Sequence, residues 1–347
     1  MLWLGLLSQA QPALDAIDVQ NLFFGQQQFH DRLAESRWRA HEMDYLDGLQ
    51  SEVLRHPYAL VFDPLDGTMF VASFTLNHVV RLRVDSVTRK TAQYKVFVSG
   101  SELDGPVGMV ISNGSLFVAS FTNDRILRID KQTGALQGSF GNDEELDCPE
   151  GIAMGPDGTL FVSSFLKQHI TRYSIPNGEY LGDFAPRKAI DGTAVVQRAP
   201  QMHGPEDLTF DWQGDLHVTA YHSNSVFKFN GTTGEYITSY GKGSLRGPVG
   251  IACGPDDGDL YVSSYKTNQV LRFTSEGRLI GVAAGTNLLE QNGPQASSRR
   301  RNPINSPSGL AFDPHDGTMY VLSYVVGTLA RFNNSALPVA THWRVTQ

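Results

Sequence analysis

Six copies of one sequence pattern, their regular spacing and a high glycine content predict an all-β fold, a six-bladed β-propeller with an N-terminal, partly helical extension. The chain has 347 residues, of which 41% are hydrophobic, 18% are charged and 34 are glycines. Such a composition is typical of a turn-rich globular protein with a large core. We expect residues 56–347 to form the propeller and residues 1–55 to form the extension.

Each copy opens with a proline, continues as an apolar run to a tight turn, and resumes as a second apolar run that ends in an aromatic residue. The copies start near Pro57, Pro106, Pro149, Pro205, Pro248 and Pro307. Consecutive starts are 43 to 59 residues apart, and a four-stranded blade needs roughly 40 to 50 residues. The excess falls in polar insertions near 85–104, 185–203 and 285–306, which we expect to be loops.

Within each copy, four strands are expected. Pairs such as Asp66-Gly67 and Asn113-Gly114 join the first two strands, because these residue types tolerate positive φ. A third strand follows a short polar loop, as at 79–82, and a turn such as Thr133-Gly134 leads to the fourth. Second strands are apolar on both faces, which predicts blades stacked against each other.

Two kinds of residue near the second-strand end recur at fixed positions. The terminal aromatic residues are expected to pack between neighbouring blades. They are Phe74, Phe121, Phe165, Tyr221, Tyr265 and Tyr324. Asn77, Asn224 and Asn268 follow three residues later and are expected to form turns.

The pattern P-x-G-apolar-Ala, followed by D-G-x-L-[YF]-V-[SA]-S-[FY] and then N-x-V-x-R, resembles the NHL repeat and related six-bladed propellers over roughly residues 56–345. The resemblance implies a fold that carries binding proteins, hydrolases, lyases and lactonases, with sites on the face formed by the blade-linking loops. Virginiamycin B lyase-like relatives have histidine and glutamate at the channel mouth. Gluconolactonase-like relatives use a ring of Glu, Asn and Asp, from which Val107 and Val249 depart here.

The residue after each opening proline is expected at the channel mouth. This ring reads Tyr58, Val107, Glu150, Glu206, Val249 and Ser308. Glu150 and Glu206 belong to adjacent blades, and Asp147, His203 and Asp207 lie beside them in sequence. Such carboxylates with a histidine can hold a hard cation such as Ca²⁺, or divide acid and base roles.

Glu150, Glu206 and His203 are therefore the candidate metal ligands, and the same residues with His169 are the candidate catalytic residues. His56, His78 and His222 are expected on the same face. Histidine is a common base near neutral pH, which favours a catalytic interpretation. A solvated acidic rim with surface histidines is the alternative.

Two functions follow from these patterns. The first is a binding module whose rim loops, such as 185–203 and 285–306, recognise a protein, peptide or glycan. The alternative is a metal-dependent lyase or hydrolase with its site at the channel mouth. The net charge of −8 argues against nucleic-acid binding, no apolar run reaches the ~20 residues of a membrane span, and we expect a monomer.

The N-terminal region does not repeat. Residues 1–10 resemble a clipped secretory signal, which favours a secreted protein over a cytoplasmic one. Residues 30–54 have the apolar spacing of an amphipathic helix. Cys148 and Cys253 are expected to be free, buried thiols, and the ring closes either with residues 339–345 or with a strand near 22–24.

Overall fold

A computed structural model describes residues 53–84, 91–142, 144–185, 201–285 and 304–332, with the side chains of residues 91–93 excepted. Six antiparallel sheets follow one another along the chain, and within each sheet neighbouring strands are consecutive in sequence. Five sheets have four strands, and the sixth has three among the residues described. The predicted all-β six-bladed propeller is confirmed, whereas the expected N-terminal helix lies outside these residues.

The strands have the following bounds, given by their position within a blade. The first strands are β1 Pro57–Phe62, β5 Pro106–Ser112, β9 Pro149–Met154, β13 Pro205–Phe210, β17 Pro248–Cys253 and β21 Pro307–Phe312. The second strands are β2 Met69–Ser73, β6 Ser115–Ser120, β10 Leu160–Ser164, β14 Leu216–Ala220, β18 Leu260–Ser264 and β22 Met319–Ser323. The third strands are β3 His78–Val84, β7 Arg125–Asp130, β11 His169–Tyr173, β15 Ser225–Phe229, β19 Gln269–Phe273 and β23 Thr328–Phe332. The fourth strands are β4 Thr91–Ser99, β8 Leu136–Phe140, β12 Tyr180–Ala185, β16 Tyr236–Tyr240 and β20 Leu279–Gly285, and single 3-10 turns occupy Phe121–Asn123 and Tyr265–Thr267.

The blades bury both faces of their sheets, as the apolar second strands predict. All residues of β2, β6, β10, β14, β18 and β22 are buried. Each core cluster combines neighbouring blades, and one of them joins Phe62 of the first blade to Tyr320 of the sixth. The ring therefore closes where β1 lies beside β21 and its side chains pack on those of β22. Within the described part of the chain, no helix is long and apolar enough to cross a membrane.

Glycine two residues after the opening proline permits the first strands of four blades to approach their neighbours around the axis. A Cβ on Gly108 would lie 2.2 Å from the carbonyl oxygen of Glu150, and one on Gly250 would lie 2.4 Å from that of Ser308. Side chains cannot fit between backbones at such distances. In the first and fourth blades the same position holds Ala59 and Asp207.

One insertion predicted as a loop contains a strand. Residues 91–99, inside the expected loop 85–104, form β4 and pair with β3 from His78↔Ser99 to Val84↔Thr91. An outer strand faces solvent on one side, so its polar residues are typical of a loop in sequence. Residues 186–200 and 286–303, and both candidate ring-closing segments, lie outside the described residues.

The turn-forming residues also connect neighbouring blades. Asn77, Asn224 and Asn268 have φ of 50°, 54° and 57°, which confirms their turn conformation. Each side-chain oxygen accepts a hydrogen bond from the backbone N–H that precedes the next blade's opening proline. The donors are Gly105 at 2.9 Å, Gly247 at 2.8 Å and Ser306 at 2.8 Å. In the second blade Asp124 takes this role and accepts from Cys148 N at 2.7 Å.

Candidate functional site

A pocket on the propeller axis collects four of the six predicted ring residues. Tyr58, Glu150, Glu206 and Val249 line it, together with Asp207 and the first-strand glycines. The space open to a water molecule is about 20 Å³, enough for one water or one ion. The other two ring residues do not line the pocket. Val107 packs in a core between blades, and Ser308 donates a hydrogen bond to Pro57 O at 2.8 Å.

Tyr58 connects the two glutamates. Its hydroxyl donates a hydrogen bond to Glu206 Oε2 and also approaches the carboxyl group of Glu150. Both glutamates are only 5% exposed. Glu150 Oε2 is buried and has no hydrogen-bond partner among the described residues. A buried carboxylate oxygen without a partner is costly, so the pocket has an unmet demand for a cation or a proton.

Asp207 is a third acid at the pocket, and its role is structural. Its Oδ1 accepts a hydrogen bond from Leu208 N at 2.9 Å, and its Oδ2 accepts one from Ile251 N at 3.1 Å. The second bond reaches from β13 to β17. Because both oxygens are engaged by backbone donors, Asp207 contributes negative charge to the pocket and a link between blades.

Burial controls the protonation of these acids. It raises the pKa of Glu206 to about 8, against the hydrogen bond from Tyr58, which lowers that pKa. The pKa of Glu150 is raised well above its usual value, first by burial and then by the charge of Glu206. Burial also raises the pKa of Asp207 to about 6. Without a cation, Glu150 and Glu206 therefore hold protons at neutral pH.

The candidate histidines do not line this pocket. His203 is exposed in the loop before β13, and its described contacts are backbone hydrogen bonds to Ser223 Oγ and from His222 N. His169 begins β11, with Nε2 3.5 Å from Asp183 Oδ1, and burial lowers its pKa. The structure thus brings together Glu150 and Glu206 but not His203 or His169.

The other three histidines make local contacts near the same face. His78 donates from Nε2 to Val53 O at 2.7 Å. The ring of His56 stacks on Tyr324 with centroids 4.6 Å apart. His222 packs between Phe165 and Tyr221, at 5.6 and 5.2 Å.

A second group of potential ligands lies between the second and third blades. Single ligand atoms of Asp124, Asp147 and Cys148 lie within 4.8 Å of one another. Burial and the charge of Asp147 raise the pKa of Cys148 to about 12, so its thiol stays protonated. Cys253 has a pKa raised to about 12, first by burial. Both cysteines are free, as predicted, but they are half-buried rather than buried.

The terminal aromatic residues form a collar around the pocket mouth. This aromatic collar consists of Phe74, Phe121, Phe165, Tyr221, Tyr265 and Tyr324, all half-buried. Centroid distances of 5.9 Å for Phe74–Phe121, 6.2 Å for Tyr221–Tyr265 and 6.0 Å for Tyr265–Tyr324 show contacts between neighbouring blades. Tyr58 lies 6.1 Å from both Phe74 and Tyr324, which joins the collar to the pocket.

Comparisons with known proteins find likeness in fold only. No protein-family profile matches the chain, and no curated protein sequence matches it. The NHL resemblance of the repeats therefore stays a prediction.

Solved structures match over most of their length. A Staphylococcus aureus virginiamycin B lyase bound to quinupristin aligns with a TM-score of 0.57 and 16% identity, over 84% of this chain and 99% of that chain. A candidate gluconolactonase aligns with a TM-score of 0.61 and 16% identity, over 87% and 95%. An auxiliary nutrient-binding protein from Bacteroides ovatus aligns with a TM-score of 0.58 and 15% identity, over 79% and 68%. These neighbours include lyases and a binding protein, so the fold is shared while the function is not decided by it.

Proposed function

We propose that this propeller is a lyase or hydrolase that uses a divalent cation held by Glu150 and Glu206 at the mouth of the axial channel. The observation that carries the proposal is Glu150 Oε2, a buried carboxylate oxygen without a hydrogen-bond partner among the described residues, at a pocket of single-ion size shared with Glu206. A buried carboxylate without a partner is costly in free energy, which favours a cation next to it.

The donor set indicates which kind of cation fits. The pocket offers only oxygen ligands, from the carboxyl groups of Glu150 and Glu206 and from the backbone, and Asp207 adds a nearby charge. Oxygen ligands suit Ca²⁺ or Mg²⁺, whereas Zn²⁺ and Cu²⁺ prefer sites with nitrogen or sulfur. When bound, such a cation would polarise a substrate carbonyl. His203, outside the pocket lining, is omitted from this proposed ligand set.

Tyr58 is the proposed proton donor. Without a cation, burial and the two neighbouring glutamates raise its pKa well above the usual value, so the hydroxyl holds its proton but is a weak acid. A divalent ion bound beside it would lower that pKa and make the proton easier to transfer. Its hydrogen bond to Glu206 fixes the direction of the hydroxyl, and its ring packing against Phe74 and Tyr324 fixes the side chain. Proton transfer by a positioned side chain contributes roughly 10²- to 10⁴-fold to a rate.

The first experiment is elemental mass spectrometry of the purified chain after dialysis against a calcium- and magnesium-containing buffer. We expect about one divalent ion per chain in the unsubstituted protein and none in Glu150→Gln/Glu206→Gln. The matched control is Asp124→Asn/Asp147→Asn, which alters the other cluster of ligand atoms. Loss of the ion in the control but not in the glutamate variant would overturn the assignment.

The second experiment separates catalysis from ion binding. Tyr58→Phe is expected to keep the bound ion and to lower turnover at least a hundredfold on any lactone, ester or elimination substrate found by screening. Unchanged turnover in this variant would remove Tyr58 from the mechanism. Recognition by rim loops 185–203 and 285–306 is the competing hypothesis, and most of those residues lie outside the described structure.

A further inference from the structure

The aromatic collar has the properties of a binding surface, beyond its role in packing. Its rings are half-buried, whereas the aromatic side chains between blades, such as Phe117, Phe161 and Tyr261, are at most 1% exposed. The collar therefore presents aromatic surface to solvent at the mouth of the axial pocket.

The ammonium group of Lys266 lies over the face of one collar ring, that of Tyr221. Lys266 Nζ lies 4.5 Å from the ring centroid of Tyr221, within the range of a cation–π interaction. Lys266 is exposed and follows the collar residue Tyr265 in the loop between β18 and β19. A flexible ammonium group on a collar face shows that this surface can accept a cation.

Apolar side chains extend the collar outward. Leu166 is 56% exposed, Val325 is 55% exposed and Val326 is 52% exposed. Leu166 and Val325 directly follow the collar residues Phe165 and Tyr324. Phe165 belongs to the third blade and Tyr324 to the sixth, so these are two separate exposed apolar groups at the edge of the collar.

Carboxyl groups lie beneath the collar, and at neutral pH the negative charge among them is that of Asp207, because Glu150 and Glu206 hold protons without a cation. Tyr58 links the two levels, because its ring contacts the collar and its hydroxyl binds Glu206. Three acids lie at this pocket, of which Glu150 and Glu206 are buried and Asp207 is half-buried. Aromatic faces above carboxyl groups complement a cation with an apolar body, as in the aromatic cages that bind quaternary ammonium groups.

We propose that the aromatic collar binds a small organic cation, an ammonium group on an apolar body, which takes the place of the Lys266 ammonium on Tyr221. Such a ligand covers the face of Tyr221 that the Lys266 ammonium contacts in this structure. The inference does not depend on a divalent cation at Glu150 and Glu206, since the collar faces themselves make the contact.

The test is isothermal titration calorimetry of the full chain with benzyltrimethylammonium and choline, and with 3,3-dimethylbutanol as the uncharged isostere of choline. We expect choline to bind at least about tenfold more tightly than the isostere, and benzyltrimethylammonium more tightly than choline. Equal binding of choline and its isostere would overturn the proposal. Binding of a glucoside in place of both ammonium ions would instead assign the collar to sugar stacking.

Three variants locate the site. Tyr221→Leu is expected to weaken benzyltrimethylammonium binding about tenfold, and Lys266→Met to strengthen it severalfold, because the competing ammonium is gone. Tyr94→Leu, an exposed tyrosine of β4, is the control and should leave the affinity unchanged. A gain in affinity cannot result from misfolding, so an unchanged Lys266→Met variant would contradict the proposal. Repeating the titration with chelator present distinguishes failure of the ion site from failure of the collar site.

Discussion

Glu206 is a carboxyl group that folding removes from water and places beside the carboxyl group of Glu150. Burial raises its pKa to about 8 from an ordinary value of 4.5, so the fold favours the protonated form. The corresponding stabilisation is fully present below pH about 4.5 and is lost as the pH rises to about 8. In chelated protein, Glu206 therefore opposes folding in alkaline solution.

Glu206→Gln should remove this pH dependence. The free energy of unfolding of the unsubstituted protein is expected to fall, relative to the variant, by up to about 1.4 kcal/mol per pH unit between pH 5 and 8. Urea unfolding at several pH values in chelator measures the difference. Glu144→Gln, on an exposed loop, is the control and should follow the unsubstituted protein. Parallel curves for Glu206→Gln and the unsubstituted protein would contradict the raised pKa.

At the scale of elements, neighbouring blades are held by contacts that recur around the ring. Side-chain oxygens in left-handed turns accept the backbone N–H at the start of the next blade, as Asn224 does from Gly247. First strands approach so closely that four of them carry glycine. Blade order and spacing thus depend on a few positions whose residue type is restricted by geometry.

Asn224→Ala is expected to lower the free energy of unfolding by about 1–3 kcal/mol, since it removes the acceptor for Gly247 N and places alanine at a φ of 54°. Asn224→Asp is the matched control, because Asp124 performs the same task in the second blade. Thermal and urea unfolding of the two variants measure the contrast. Equal losses in both would show that the hydrogen bond contributes little.

Gly250→Ala should be more damaging than an ordinary glycine substitution. The added Cβ would lie 2.4 Å from the backbone oxygen of Ser308, and a strand must move to relieve this contact. Gly114→Ala is the comparison, since its φ is 75° but its Cβ would meet nothing within 4 Å, and strain of about 1–2 kcal/mol is expected. A smaller loss for Gly250→Ala than for Gly114→Ala in urea unfolding would refute the close-approach argument.

At the largest scale, the described strands form a ring whose sixth blade packs on its first. Ser308 of β21 donates to Pro57 O at 2.8 Å, and Phe62 packs on Tyr320 with centroids 5.4 Å apart. Each blade shares its core with two neighbours, so unfolding of one blade exposes the faces of both. We expect cooperative unfolding of the propeller rather than blade-by-blade loss.

Ser308→Ala tests the contact between the sixth blade and the first. It leaves the buried Pro57 carbonyl without its donor and should lower the free energy of unfolding by about 1–2 kcal/mol, while circular dichroism and tryptophan fluorescence keep coincident transitions. Ser263→Ala is the control, because the buried Ser263 Oγ has no partner within the described ranges. Separate transitions for the two probes would argue against a cooperative ring.

The six repeats made the fold predictable from the sequence. They also predicted which first-strand residues lie at the axis, but not the contacts that a side chain makes with the next blade. The position after the opening proline correctly placed Glu150 and Glu206 on the axis, because the first strands are equivalent by sequence. His203 and His169 are near these acids along the chain, but proximity in sequence does not fix the direction of a side chain. The sequence did mark Asp207 as unusual, because the other blades have glycine or alanine at this position. Its hydrogen bond from Ile251 N could not be predicted, since that donor belongs to the next blade.

The bond between Tyr58 and Glu206 has a mechanical consequence. Tyr58 belongs to the first blade and Glu206 to the fourth, so this one hydrogen bond crosses the axial pocket and links opposite blades. The turn bonds of Asn77, Asn224, Asn268 and Asp124, in contrast, connect only neighbouring blades. A ligand that draws Glu206 away from Tyr58 would break this link between opposite blades. We expect the backbone amides of the fourth, outermost strands to exchange hydrogen faster when such a ligand binds.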